Sequence, residues 1–124
     1  MFHEKELPEK IIAAAIEVHR QLGPGLLESA YEKCLCREFE LRGLPFERQK
    51  AISLEYKGVK LEQGYRMDIV VAGKVIIELK FVNAIAPVHE AQMLTYLRLS
   101  GLPIGLILNF YVPVMKAGIR RLVL

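Results

Sequence analysis

The amino-acid sequence predicts an α/β domain in which helices cover a mixed central β-sheet. Three observations carry that expectation. Apolar residues recur at helical spacing in three stretches, Pro8 to Leu22, Leu26 to Arg42 and Pro87 to Ser100. Between the second and the third the period falls to two, over short runs rich in β-branched residues. After the third comes a continuous apolar run, Ile104-Gly105-Leu106-Ile107-Leu108-Asn109-Phe110, as a strand buried on both faces requires. The order helix, helix, strands, helix, strand is that of a sheet covered by helices.

The first helix follows from the stripe Ile11, Ile12, Ala15, Ile16, His19 and Leu22, with Pro8 in its first turn and Gly23-Pro24-Gly25 as the break after it. The second carries Leu27, Ala30, Tyr31, Cys34, Leu35, Glu38 and Leu41; Gly43 caps it and Pro45 stops it. In the middle, Ala51 to Tyr56 alternates, Lys57-Gly58 turns, and Val59 to Glu62 alternates again. Two apolar runs follow, Tyr65 to Val71 and Val75 to Lys80, separated by Ala72-Gly73-Lys74 and read as a hairpin. Three or four antiparallel strands result. The third helix turns Val88, Ala91, Leu94, Tyr96 and Leu97 inward and ends at Gly101-Leu102-Pro103; Arg120 to Leu124 adds an edge strand.

Length and composition bound the class. A chain of 124 residues, 52% hydrophobic and 25% charged, suits one compact domain over residues 1–124, with no repeat or linker. The net charge of +3 is compatible with a nucleic-acid partner without arguing for one. No apolar run is long enough to span a bilayer, and Met1-Phe2-His3-Glu4-Lys5-Glu6 is charged rather than signal-like, so the expectation is a cytoplasmic protein with no membrane contact. Cys34 and Cys36 lie two apart in a helix and point to different faces, a poor arrangement for a disulfide or for zinc; they read as reduced structural thiols.

The chemistry concentrates on the hairpin. Side chains alternate along a strand, so Arg66, Asp68 and Val70 share one face and Ile76, Glu78 and Lys80 share the matching face of the second strand. The opposite, all-apolar faces are expected to be the core side. If Val71 pairs with Val75 across a three-residue loop, Asp68 stands opposite Glu78. Facing like charges are destabilising. A bound Mg²⁺ turns that repulsion into attraction, with Asp68, Glu78 and the Leu79 carbonyl as oxygen ligands. Lys80 projects to the same side, where it can orient or deprotonate an attacking water or hold a phosphate oxygen. The competing reading is a salt-bridge cluster on a solvated sheet face.

Gly25-Leu26-Leu27-Glu28-Ser29-Ala30-Tyr31 spells Gly-x-x-Glu-x-x-Tyr. With Asp68, Glu78-Leu79-Lys80 and His89-Glu90-Ala91-Gln92-Met93-Leu94-Thr95-Tyr96-Leu97, the chain resembles the GxxExxY protein family of the PD-(D/E)XK nuclease superfamily, from about Ile11 to Leu122. The resemblance implies a restriction-endonuclease-like core, α-β-β-β-α-β, in a single nuclease-like domain. It implies metal-dependent phosphodiester hydrolysis, in DNA in preference to RNA, with Mg²⁺ or Mn²⁺ as cofactor. Carried over residue by residue, Glu28 reaches the metal directly or through water, Asp68 and Glu78 are the strand acids, Lys80 is the strand lysine, and Gln92 is the polar residue placed over the site by the following helix. Met67 stands where the superfamily pattern has proline.

Other residues have plainer readings. Glu28 in a first turn also complements a helix dipole. Tyr31 reads as an aromatic core anchor or as a partner of Glu28 or phosphate, and His19 as a core histidine satisfied by a backbone partner or as a site residue. Gln92, Tyr96 and His89 share a helix face. Arg42, Arg48, Lys50, Lys57, Lys60, Lys116, Arg120 and Arg121 are candidates to track a nucleic-acid backbone. The alternative to an enzyme is an inactive nuclease-fold module that binds nucleic acid or protein, as a homodimer or beside a partner, with Val112, Val114 and Leu122 suited to an interface.

Overall fold

A computed structural model describes residues 5–61 and 64–124. Helix α1 spans Leu7–Leu22 and α2 spans Glu28–Leu41, followed by strands β1 (Phe46–Ala51), β2 (Leu54–Tyr56), β3 (Val59–Leu61), β4 (Arg66–Val71) and β5 (Val75–Lys80). Helix α3 (Pro87–Ser100), strand β6 (Ile104–Asn109), a 3-10 turn at Met115–Gly118 and strand β7 (Ile119–Val123) complete the order. The five-stranded sheet runs β1-β4-β5-β6-β7, with β5 and β6 parallel and the other pairs antiparallel. Strands β2 and β3 pair only with each other, as a separate hairpin. This is the expected mixed α/β sheet covered by helices, consistent with a restriction-endonuclease-like fold. Among the described residues no helix is long and apolar enough to cross a membrane.

The element boundaries show local chemistry at work. Helix α3 begins at Pro87 and ends before Gly101, whose φ of 74° supplies the left-handed cap. Parallel β5 and β6 require a crossover, and α3 provides it. Helix α2 begins at Glu28 rather than Leu26, because Leu27 stays extended as its N-cap. Strand β1 lies where the sequence suggested only a stop after Pro45; it is an edge strand exposed along nearly its whole length, so no alternation announced it. The expected run Ala51 to Tyr56 is divided between β1 and β2. Of the run Val59 to Glu62, Glu62 lies outside the described residues, as do the N-terminal Met1 to Glu4.

The central strands β4, β5 and β6 are buried on both faces along most of their length. On one, α1 and α2 deliver Leu7, Ile11, Val18, Tyr31, Leu35 and Phe39 onto Ile69, Val71, Val75, Ile77 and Leu106. On the other, α3 lays Met93, Tyr96 and Leu97 over Val70, Ile76 and Ile107. The expectation that only the all-apolar face is core therefore needs correction: Val70 and Ile76, on the Asp68–Glu78 face, lie under α3. Met93 faces inward with Tyr96 and Leu97, whereas Val88 and Ala91, expected inward, are exposed. Met93 fits because Gly105 beneath it has no side chain; a Cβ there would overlap Met93 Sδ and Cγ. Val112, read as an exposed interface residue, is buried, and Leu122 packs against the α3 layer; Val114 is exposed.

Candidate functional site

The Gly-Pro-Gly break owes its shape to two tyrosine hydroxyls. Tyr31 O–H donates to the Gly23 carbonyl at 2.6 Å and accepts the Leu26 N–H at 3.0 Å. Tyr111 O–H donates to the Leu26 carbonyl at 2.6 Å. The Tyr31 ring is fully buried and stacks on Phe110 with centroids 4.9 Å apart. Tyr31 is thus the core anchor, and its polar end fixes the loop that delivers Glu28 to the start of α2. His19 has the structural role too: its Nε2 lies 2.8 Å from the Val112 carbonyl, tying α1 to the chain after β6.

The hairpin has the register that the three-residue loop implied: Val71 pairs with Val75, Val70 with Ile76 and Ile69 with Ile77. Asp68 and Glu78 come next in that register, but the backbone ladder stops before them. Side chains replace it. The Asp68 N–H donates to Glu78 Oε2 at 3.2 Å, and the Leu79 N–H donates to Asp68 Oδ2 at 2.9 Å. The two carboxyl groups are also hydrogen-bonded to each other. Met67 consequently packs with Val70 in the α3 layer instead of with Ile69, a departure from strict alternation at Asp68.

The electrostatics follow. Glu78 is 6% exposed. Burial, then the hydrogen bond and charge of Asp68, push its carboxyl up to about 9; the positive charge of Lys80 opposes the shift. No ion pair joins Lys80 to either acid among the described residues, so the hairpin charges are not a salt-bridge cluster. Past Lys80, buried Asn109 holds the chain by accepting the Val82 N–H at 3.2 Å and donating to the Val82 carbonyl at 2.8 Å.

These groups open onto a polar cleft of about 350 Å³, walled by Glu28, Ser29 and Glu32 from α2, Arg66 and Asp68 from β4, Glu78, Leu79 and Lys80 from β5, Phe81 after it, and Gln92 and Tyr96 from α3. Every residue expected in the site, Glu28, Asp68, Glu78, Leu79, Lys80 and Gln92, lines this one cleft. Sequence reasoning did not assign Ser29, Glu32 or Tyr96 to it, because only the packing of α2 and α3 brings them there, nor Phe81, which follows Lys80 directly. Gln92 Nε2 donates to the Tyr96 hydroxyl at 3.3 Å. Burial and the negative charges of Glu78 and Asp68 raise the Tyr96 phenol, so its hydroxyl senses the acid pair. His89 is occupied elsewhere: its Nδ1 accepts the Ala86 N–H at 2.9 Å and caps α3.

The donor set suits a hard divalent cation. Two carboxyl groups meet in the wall of a polar cleft, and among the described residues no cationic side chain pairs with either. The Leu79 N–H points to β4, so its carbonyl leaves β5 on that same edge, beyond the end of the ladder. Among the described residues no three His, Cys, Asp or Glu side chains converge on one point. Two carboxylates and a carbonyl leave the remaining positions to water, which Mg²⁺ tolerates well, and Glu28 faces the same space from across the cleft.

Of the basic residues considered for nucleic-acid contact, Arg48 is committed to Glu32 through Nε at 2.7 Å, Arg42 to Glu38 and Lys50 to Glu47, while Lys57 lies over the Tyr56 ring. The two cysteines are free; burial pushes the Cys36 thiol up to about 11. A sequence model of the PD-(D/E)XK nuclease superfamily matches residues 5–122. No curated protein and no solved structure matches the chain.

Proposed function

The chain belongs to the PD-(D/E)XK nuclease superfamily, and from that premise we propose that it is a divalent-metal-dependent nuclease hydrolysing phosphodiester bonds in DNA. The observation that carries this reading is the Asp68–Glu78 pair, next in the hairpin register and tied by the hydrogen bonds of the Asp68 and Leu79 N–H groups, with Glu78 buried. Burying an acid pair without a counter-charge costs stability. A fold that keeps such a pair at the mouth of a polar cleft has a place for a positively charged ligand.

Asp68, Glu78 and the Leu79 carbonyl would hold Mg²⁺ or Mn²⁺, with Glu28 reaching it through water. Such an ion, when bound, neutralises charge on the phosphate and acidifies water. The chain's own residues do the rest. Lys80 stands beside the acid pair and offers its ammonium donors to the attacking water or to a phosphate oxygen. Asp68, braced by the Leu79 N–H, keeps its orientation as Glu78 loses its proton. Gln92 and Tyr96 present polar groups from the α3 side, where they orient substrate or water over the acids.

The test is cleavage of duplex DNA, single-stranded DNA and RNA with Mg²⁺, with Mn²⁺ and with chelator. DNA should be cut in either metal and remain intact in chelator. Asp68→Ala and Lys80→Ala should each lower the rate by about 10²-fold or more while the far-UV spectrum is unchanged. A folded wild-type protein inert on all three substrates in both metals would leave a nuclease fold that binds without turnover.

A further inference from the structure

Arg66 opens β4 two residues before Asp68, and its side chain forms part of the cleft wall. Glu28, Glu32, Asp68 and Glu78 line the same cleft, yet none of them pairs with it. Glu32 is taken by Arg48. Arg66 instead donates from Nη1 to a neutral acceptor, the Gln49 carbonyl, at 3.3 Å. Gln49 has a φ of 50°, a left-handed conformation uncommon for a residue other than glycine. It sits opposite Asp68 in the β1–β4 register, at the one position where that ladder is interrupted. The edge strand is therefore bent where its carbonyl meets the guanidinium. A carbonyl braces the head group without cancelling its charge, and among the described residues no other partner takes the remaining guanidinium N–H donors. Arg66 is exposed, so an incoming anion has little protein to displace.

We propose that Arg66 is a substrate-binding residue that grips a backbone phosphate next to the one being hydrolysed, its planar fork taking two phosphate oxygens. The inference rests on the nuclease reading above. A strand advances about 3.4 Å per residue, which sets Arg66 roughly 7 Å along β4 from Asp68. That offset suits a neighbouring phosphate of the same nucleic-acid strand. The contact carries no base information, so it strengthens binding uniformly across sequences.

Fluorescence anisotropy of a labelled DNA duplex, with Ca²⁺ in place of Mg²⁺ and across a salt series, tests this on wild type, Arg66→Ala and Arg66→Lys, alongside cleavage in Mg²⁺. Arg66→Ala should weaken binding about tenfold or more, raise KM by a similar factor with kcat changed less than about threefold, and flatten the slope of log affinity against log salt by about 0.9. Arg66→Lys should keep the slope and recover only part of the affinity. An Arg66→Ala protein with wild-type affinity and slope overturns the assignment. So does one that loses melting temperature and kcat while the slope stays unchanged, which would make the residue only a brace for Gln49. Wild type that binds no DNA at all brings down the nuclease reading itself; wild type that binds, with Arg66→Ala its equal, brings down this inference alone.

Discussion

Replacing Glu78 by Gln in the metal-free protein removes a proton-binding group that folding makes unusually tight. The carboxyl rises from 4.5 to about 9 on folding. Between those values the native protein holds a proton that the unfolded chain releases. The proton-linked stability is therefore complete below pH 4.5 and is lost as pH climbs toward 9. At 1.36 kcal/mol per unit, the full loss is about 6 kcal/mol, of which about 3 kcal/mol is gone by pH 7. Glutamine mimics the protonated acid and has no such slope. Urea unfolding in chelator, at half-unit steps from pH 5.5 to 8.5, should show the Glu78→Gln protein gaining on wild type by about 1 kcal/mol per pH unit. Saturating Mg²⁺ should raise the wild-type midpoint at pH 8 and leave that of Glu78→Gln nearly still. Parallel stability curves, or wild type gaining on the variant as pH rises, would refute the claim that Glu78 is buried beside an uncompensated Asp68.

Three further outcomes follow from other parts of the molecule. Tyr31→Phe keeps the aromatic stacking but strands the Gly23 carbonyl and the Leu26 N–H, so chemical denaturation should show a loss of about 1–3 kcal/mol, and cleavage per folded molecule should fall because Glu28 hangs on that loop. Gly118→Ala drives a methyl into the Asn109 backbone carbonyl, whereas Gly105→Ala meets only the flexible end of Met93; thermal melts should rank the first as the more damaging, by about 3 kcal/mol against about 1. With its thiol pushed up to about 11, Cys36 is about one-thousandth thiolate at pH 8, so a thiol reagent on native protein should label it only as fast as the chain opens.

The helices and the hairpin were legible because their signals are local. Pro87 and Gly101 bracket α3, and the three residues Ala72 to Lys74 set a register that puts Asp68 opposite Glu78. Strand β1 was not legible, because an exposed edge strand needs no alternating pattern; Phe46 to Ala51 reads Phe-Glu-Arg-Gln-Lys-Ala. Nor was the second core layer, since Val70 and Ile76 share their face with two acids and only the seating of α3 decides where burial ends. In the cleft, the acids and Lys80 announce themselves by cost, as charges among Ile and Val. Arg66, Glu32 and Tyr96 do not, because an exposed arginine, a helical glutamate and an amphipathic tyrosine are ordinary until the tertiary fold brings them to one place. Tyr31 stood in the most specific sequence block, yet its function there is to hold a loop.

The Ile52 N–H donates to the Tyr65 carbonyl at 2.9 Å and ties the neck of the β2–β3 hairpin just before β4 begins. An appendage knotted at its base can grow, shrink or be exchanged without cutting the sheet that carries the acids. Variation in that appendage therefore falls outside the five-stranded sheet, and Ile52 and Tyr65 mark a graft point at its base.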